Sequence, residues 1–144
     1  MLFCRVNLSK TNYSLYKHAH VLEPVPTKQI LEIYSKYCKY KNFESVMPIF
    51  EEELTHEHVQ VMGYFDNNNL VAFSYLYLLN NKNVDSNQFA WNYENPKLHL
   101  GIKSIRHECA YYKSLGYDYI YLGEDDTYKY QIDGFETMGP IDAS

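Results

Sequence analysis

The stretch QFAWNYENPKLHLGIKSIRHECAYYKSLGYDYIYLG, residues 88–123, decides the fold of this chain. Its middle has the spacing of an amphipathic helix, because apolar residues recur every three or four positions and Gly116 then stops the pattern. These residues are Leu98, Ile102, Ile105, Cys109 and Tyr112. On either side, QFAWNY (88–93) and YDYIYLG (117–123) are apolar and aromatic runs typical of strands. A helix between two such strands is a crossover, so the sequence predicts that they lie parallel in one sheet.

A β-hairpin precedes this crossover. VQVMGYF (59–65) and LVAFSYLYLL (70–79) are two strand-like runs joined by DNNN (66–69). Asparagine tolerates the left-handed backbone that a tight hairpin turn requires. The polar sequence NNKNVDSN (80–87) then predicts a loop that leads into the strand at 88–93.

Further elements flank this core. The segment EPVPTKQILEIYSKYCKYK changes to a helical period and predicts a helix over roughly 26–41. The other predictions are a strand at 2–7, a weaker strand at 14–20, a helix from about Pro48 through IFEEELTHEH, a polar helix or turn EDDTYKYQID, and a final strand GFETMGP. The predicted fold class is therefore α/β (α+β): a mixed, mostly antiparallel sheet with helices on both faces and one parallel crossover pair, in a single domain of residues 1–144.

Composition restricts the function classes. The chain has 144 residues, 46% hydrophobic and 22% charged, with a net charge of -5. No apolar run approaches the roughly 20 residues of a membrane span, and no signal peptide opens the sequence, so we expect a cytoplasmic protein with no membrane partner. A negative chain without a Lys/Arg cluster disfavours a nucleic-acid partner, with tRNA left as the exception. His18-x-His20 and His56-Glu57-His58 fit no standard zinc motif, so no metal is expected.

The segment Leu98-x-x-Gly101-x-Lys103 lies between the predicted strand at 88–93 and the crossover helix. With the element order above, it resembles the GNAT (Gcn5-related N-acetyltransferase) family, whose R/Q-x-x-G-x-G/A loop binds the pyrophosphate of acetyl-CoA. The central glycine is kept, whereas the leading Arg/Gln and the final small residue are replaced. A second reading of Gly101 is a helix-start glycine that packs against the sheet.

A second motif lies near the end of the chain. Tyr130, Gly134, Phe135 and Glu136 match the Y-x-x-x-G-F-E spacing that GNAT sequences often carry. In that family the tyrosine commonly serves as general acid toward the thioester sulfur, and the resemblance implies this role for Tyr130. Glu94 and Glu124, which follow predicted strands, are the candidate general bases.

The resemblance implies an N-acyltransferase that uses acetyl-CoA or another acyl-CoA and transfers the acyl group directly to the amine of a small molecule or peptide. It implies that the phosphates bind backbone N–H groups at the helix start, where the helix dipole favours an anion. The pantetheine arm would pair with the preceding strand. The implied donor-binding residues are Ala90, Trp91, Asn92, Tyr93, Leu100, Gly101, Ile102, Lys103 and Ser104.

Two other functions stay open. The pattern LHLGIKSI (98–105), followed by a strand that ends YLG (121–123), is also similar to the C-terminal domain of arginyl- and leucyl-tRNA–protein transferases, which share the fold. That similarity implies an aminoacyl-tRNA donor. The two replaced loop residues leave a third alternative, a non-catalytic binding domain on a degenerate acyltransferase scaffold. A homodimer is a further alternative that the sequence leaves open.

Overall fold

A computed structural model describes residues 2–41, 58–124, 129 and 131–140. The strands in these ranges form one sheet. In chain order the strands are β1 (Leu2–Asn7), β2 (Ala19–Leu22), β3 (Val59–Asp66), β4 (Asn69–Leu78), β5 (Asn83–Trp91), β6 (Tyr119–Glu124) and β7 (Phe135–Pro140). The helices are α1 (Lys28–Lys41) and α2 (Leu100–Ser114), with 3-10 turns at Leu8–Lys10 and Pro96–Leu98. Over these residues the strand order is β2-β3-β4-β5-β6-β1-β7, and β5–β6 is the parallel pair. The predicted fold class and the predicted parallel crossover are both confirmed.

The two helices cover opposite faces of the sheet. Ile30 and Ile33 of α1 pack with Val61, Phe73 and Ala90, on what we call the α1 face. The α2 face carries Leu100, Ile105, Cys109 and Tyr112 of α2 against other strand residues, among them Met62, Tyr64, Leu76, Val84 and Ile120. Alternate residues of β3, β4 and β5 therefore enter two separate cores, as strand geometry requires.

The residues at the β3–β4 turn and at the end of α2 explain the backbone conformation of both. The hairpin between β3 and β4 places Asn67 and Asn68 at φ values of 50° and 67°, which confirms the predicted asparagine turn. Gly116 ends α2 at φ 88°, with its N–H on the Lys113 carbonyl and the Tyr117 N–H on the Tyr112 carbonyl. This is a Schellman C-cap, and it confirms the predicted helix stop.

Some predicted boundaries are wrong. The early strand lies at Ala19–Leu22 rather than 14–20, and α1 starts at Lys28. β5 begins at Asn83, inside the sequence NNKNVDSN that we predicted to be a loop. Val84 is fully buried and pairs with both Leu78 and Ile120, so partners on both sides outweigh the low strand propensity of its polar neighbours. The helix predicted from about Pro48 lies outside the described residues.

Strand β1 lies between β6 and β7 and pairs antiparallel with both. Gly134, just before β7, makes this arrangement possible. Its φ is 75°, and a Cβ there would lie 2.5 Å from the carbonyl oxygen of Asn7, whose N–H donates to the Gly134 carbonyl. The glycine of the G-F-E motif therefore has a structural reason that is independent of any catalytic role.

Candidate functional site

The two parallel strands separate soon after they meet. Their pairing covers Asn83↔Tyr119, Val84↔Ile120 and Asp85↔Tyr121. β5 then continues to Trp91 along β4, while β6 follows β1. We call the opening between β5 residues 86–91 and β6 residues 122–124 the fork, with its closed end at Asp85. Within the described part of the chain, no strand occupies the β5 edge that faces the fork, so its backbone groups are open to an extended ligand.

The N-terminus of α2 provides free backbone N–H groups. His99, the N-cap residue, has a left-handed backbone and makes no capping hydrogen bond with its side chain. The Lys103 N–H donates to the His99 carbonyl, so the N–H groups of residues 100–102 precede the first helical hydrogen bond. A Cβ at Gly101 would have no heavy atom within 4 Å, and the residue is outside the left-handed region. Gly101 is therefore not a packing glycine, and its backbone is open to an approaching group.

The remaining residues of this helix start divide between core and surface. Leu100 and Ser104 are buried, and the Ser104 hydroxyl donates to the Gly101 carbonyl at 2.9 Å. Ile102 and Lys103 are partly exposed, and the Lys103 ammonium lies 5.6 Å from the centroid of the Tyr16 ring. A cation thus lies within one turn of the free N–H groups, where it adds to the positive field of the helix dipole.

The strand residues predicted to bind the donor lie at the open end of the fork. Ala90 is fully buried on the α1 face and Trp91 packs on the α2 face, so their backbone is the part that faces the fork. Asn92 is past the strand and donates its N–H to the Val71 carbonyl. Tyr93 has a φ of 62° and its ring stacks on that of Tyr40 at 3.8 Å. Burial, with the nearby phenols of α1, raises the pKa of Tyr93 to about 12.

Of the three predicted catalytic side chains, the structure describes only that of Glu94. Glu94 forms an ion pair with Lys36 at 3.1 Å, and its side chain is 63% exposed, so it is a solvated group beside α1. Glu124 ends β6 opposite Phe3, and its side chain is outside the described part of the structure. Tyr130 is also outside the described residues. The three assignments stay predictions.

Asp85 is the functional candidate that sequence reasoning missed. It lies at the closed end of the fork on the α1 face, because Val84 beside it enters the α2 core. Its register partners are Tyr77 on β4 and Tyr121 on β6. Among the described residues the carboxylate has no hydrogen bond or ion pair, and partial burial raises its pKa. The signal was hidden because we predicted the polar sequence around it to be a loop.

Tyr77, Asp85 and Tyr121 form a row of side chains across neighbouring strands, and this row continues to β1 and β7. Arg5 pairs in register with Tyr121 on one side and with Glu136 on the other. Its guanidinium donates to Glu136 at 2.9 Å and to the Tyr121 hydroxyl at 3.4 Å, and it lies 3.9 Å from the centroid of the Tyr119 ring. The cation nearest to Asp85 along this row is therefore already engaged.

A second carboxylate lies on the opposite face of the same strands. Glu108 of α2 is fully buried and accepts hydrogen bonds from Tyr64 and Ser74 at 2.5 Å and from Ser86 at 3.3 Å. Burial raises the pKa of Glu108 to about 7, although these three hydroxyls oppose the change. Ser86 directly follows Asp85, so the closed end of the fork is attached to α2 through this network.

Comparison with known structures identifies the fold. No protein-family model matches the sequence, and no curated protein matches it. Over 85% of this chain and 46% of the other, it superposes at a TM-score of 0.66 and 13% identity on the C-terminal domain of a protein assigned as a lysylphosphatidylglycerol synthetase from Agrobacterium fabrum. A GNAT-family protein from Novosphingobium aromaticivorans gives 0.62 and 13%, over 95% and 59% of the chains. N-myristoyltransferase from Saccharomyces cerevisiae, bound to myristoyl-CoA, gives 0.57 and 12%, over 92% and 45%.

These similarities define a GNAT-like fold. The chain spans about half the length of the structures it matches. At 12–13% identity the comparison establishes the architecture, so the chemistry of this chain depends on its own residues. None of the helices in the described ranges is both long enough and apolar enough to cross a lipid bilayer.

Proposed function

We propose that this chain is an N-acyltransferase that takes its acyl group from an acyl-CoA, with acetyl-CoA as the first donor to test. The observation that carries the proposal is the fork: β5 and β6 separate beyond Asp85. From the open end of the fork, at the end of β5, the chain continues through residues 92–99 to the free N-terminus of α2. An unpaired strand edge followed by an uncapped helix start suits a ligand that has an extended amide chain and a phosphate end.

The donor has the chemistry for this arrangement and is long enough to extend along most of the β5 edge. The phosphates would bind the N–H groups of residues 100–102, with Lys103 nearby. The pantetheine arm would then pair with the free edge of β5 as an added strand does. From Trp91 to Asp85 the strand covers roughly 20 Å at about 3.3 Å per residue. An extended pantetheine arm reaches about 15 Å, similar to four extended residues, and would bring the thioester toward the closed end of the fork.

Acyl transfer at this position needs two further groups. The thioester oxygen becomes an oxyanion during attack, and free N–H groups on the fork edge of β5 are suitable donors to it. The leaving thiolate gains from a proton donor, a role that the resemblance to the family gives to Tyr130. The attacking amine must lose its proton, because a lysine-like amine has a pKa of about 10.4.

The test is a thermal-shift titration with acetyl-CoA, CoA and desulfo-CoA. Each should raise Tm by about 5–10 °C at a concentration about 100 times its Kd. Gly101→Trp should keep the fold, because a Cβ there has no heavy atom within 4 Å, and should weaken binding at least about tenfold by covering the N–H groups. Gly101→Ala is the matched control and should bind within about threefold of wild type.

Two outcomes would contradict the proposal. One is the absence of any shift at millimolar ligand. The other is equal binding by wild type and the Trp variant. In either case, salt-sensitive retention of a charged tRNA on a gel would support the aminoacyl-tRNA donor instead. The exposed Tyr40 ring, stacked on Tyr93 beside the open end of the fork, is a surface on which a nucleobase could stack.

A further inference from the structure

We propose that Asp85, between Tyr77 and Tyr121, forms the site that binds the primary ammonium group of the acceptor and takes a proton from it. This inference rests on the proposed acyl transfer and assigns the acceptor side of the same site. It replaces Glu94 and Glu124 as the base.

The first argument is the missing partner of Asp85. A carboxylate that is partly removed from water gains more from a nearby cation or hydrogen-bond donor than a fully solvated one does. The same protein provides three hydroxyl donors for Glu108 on the other face, whereas the described residues provide none for Asp85. Arg5 does not supply the charge, because it is two strands away, about 10 Å at the usual spacing, and binds Glu136. The partly exposed carboxylate is therefore free to bind the cation of a ligand.

The second argument is the chemistry on either side of the carboxylate. In register with Asp85 are Tyr77 and Tyr121, one on each neighbouring strand, and all three side chains lie on the α1 face. All three are partly exposed, so a ligand can reach them. Aromatic faces attract cations and a carboxylate binds an ammonium directly, so the trio suits a protonated amine rather than an anion.

The third argument is the position of the trio relative to the donor. Asp85 is in the last paired position before the strands separate, at the end of the fork toward which the thioester would point. Glu94 lies beyond the opposite end of β5, where it pairs with Lys36. A base at Asp85 would therefore act where the reacting carbon is expected, whereas Glu94 is close to the phosphate end.

The reaction is then complete in atoms and charge. The ammonium gives one proton to the Asp85 carboxylate and becomes a neutral amine. The amine nitrogen forms a bond to the thioester carbon, and the carbon–sulfur bond breaks with its electron pair on sulfur. The second N–H proton goes to the thiolate, leaving an amide and CoA thiol, and Asp85 returns its proton to water.

The experiment compares Asp85→Asn with Glu32→Gln, a change at an exposed carboxylate of α1, as the control, using n-butylamine as the probe. In an amide-resolved NMR titration, n-butylamine should shift the signals of residues 84–86 and 119–121 in wild type and in Glu32→Gln, and should not shift them in Asp85→Asn. Binding of desulfo-CoA should be the same in all three proteins. Acyl transfer from acetyl-CoA at pH 7 should fall by a factor on the order of 10²–10⁴ only in Asp85→Asn.

The pH profile separates a proton-accepting role from a merely structural one. The rate of Asp85→Asn should rise about tenfold per pH unit toward the pKa of the amine near 10.4, while wild type reaches a plateau once Asp85 is ionised. Absence of amine-induced shifts at residues 84–86 in wild type would overturn the proposal. So would an Asp85→Asn rate or profile equal to that of wild type. Failure of desulfo-CoA to bind wild type would instead count against the acyl-CoA donor, and the amine titration would still decide the role of Asp85.

Discussion

Asp85 and Glu108 are carboxylates on opposite faces of the sheet, the first partly exposed and the second fully buried, and they differ in their hydrogen-bond partners. Glu108 lies between α2 and the sheet and accepts from Tyr64, Ser74 and Ser86. Asp85 faces the other way at the closed end of the fork and has no partner among the described residues. Burial raises the pKa of both groups, so the pKa direction alone does not separate them. The hydrogen-bond partners separate them. Glu108, which has three hydroxyl donors, is part of the folded core, whereas Asp85, which has none among the described residues, is available to a ligand.

The largest expected effect in this comparison is the loss of Glu108. Glu108→Ala leaves a cavity and removes the acceptor of the Tyr64 and Ser74 hydroxyls, so we expect the free energy of unfolding to fall by about 3–5 kcal/mol. Ser86→Ala, which removes the longest of the three hydrogen bonds, should cost about 1 kcal/mol or less. Urea unfolding measures both. Equal losses in the two variants would show that the network is not what holds α2 to the sheet.

The second expected effect is a pH dependence that is hidden in wild type. The folded pKa of Glu108, about 7, lies above its ordinary 4.5, so the folded state binds the extra proton. The free energy of unfolding should therefore fall by about 3 kcal/mol as pH rises from 4.5 to 7. His107 opposes this. Burial, with a contribution from His20, lowers the pKa of His107 from 6.5 to about 4. Between these two values the unfolded state binds a proton that the folded state does not, so the free energy of unfolding falls as pH falls.

Single variants should separate the two titrations. Between pH 4.5 and 6.5, Glu108→Gln should become more stable as pH rises, and His107→Gln should become less stable. Wild type should be nearly flat between them. Urea unfolding at pH 4.5, 5.5 and 6.5 provides the measurement. Parallel curves for the two variants would mean that the two titrations do not oppose each other.

The smallest expected effect is on the stability of the Asp85 variant. Asp85→Asn removes a charge that lacks a partner, so the free energy of unfolding should stay unchanged or rise by up to about 1 kcal/mol. Glu94→Gln, which breaks an exposed ion pair, should change it by less than about 0.5 kcal/mol. A clear loss of stability in Asp85→Asn would indicate a structural role and remove the contrast with Glu108.

The fold followed from periodicity wherever a segment had one clear face. The spacing in α2, the asparagine turn of the hairpin and the glycine stop at Gly116 were each predicted and are confirmed. The start of β5 was not, because Asn83, Asp85 and Ser86 are poor strand formers that a pairing on both sides holds in the sheet. Local propensity does not record such distant partners. The place of β1 between β6 and β7 was missed for the same reason.

The candidate site divides along the same line. The helix start at Gly101 was identified from a local motif, and the structure shows a glycine that packing does not require. Asp85 could be identified as a candidate only from the sheet register. The register places it between Tyr77 and Tyr121, at the point where two strands separate. A motif of consecutive residues can indicate a loop, whereas a row of side chains across strands needs the register to be seen.

The central place of β1 has a consequence for biosynthesis. The hydrogen-bond partners of β1 are β6 and β7, which follow it in the chain, and the Arg5–Glu136 contact joins residues 131 positions apart. During translation β1 must wait, with both edges unpaired, until β6 and β7 have been made. Such a nascent chain should engage chaperones late and for long, and synthesis that stops before β7 should release a polypeptide prone to aggregation.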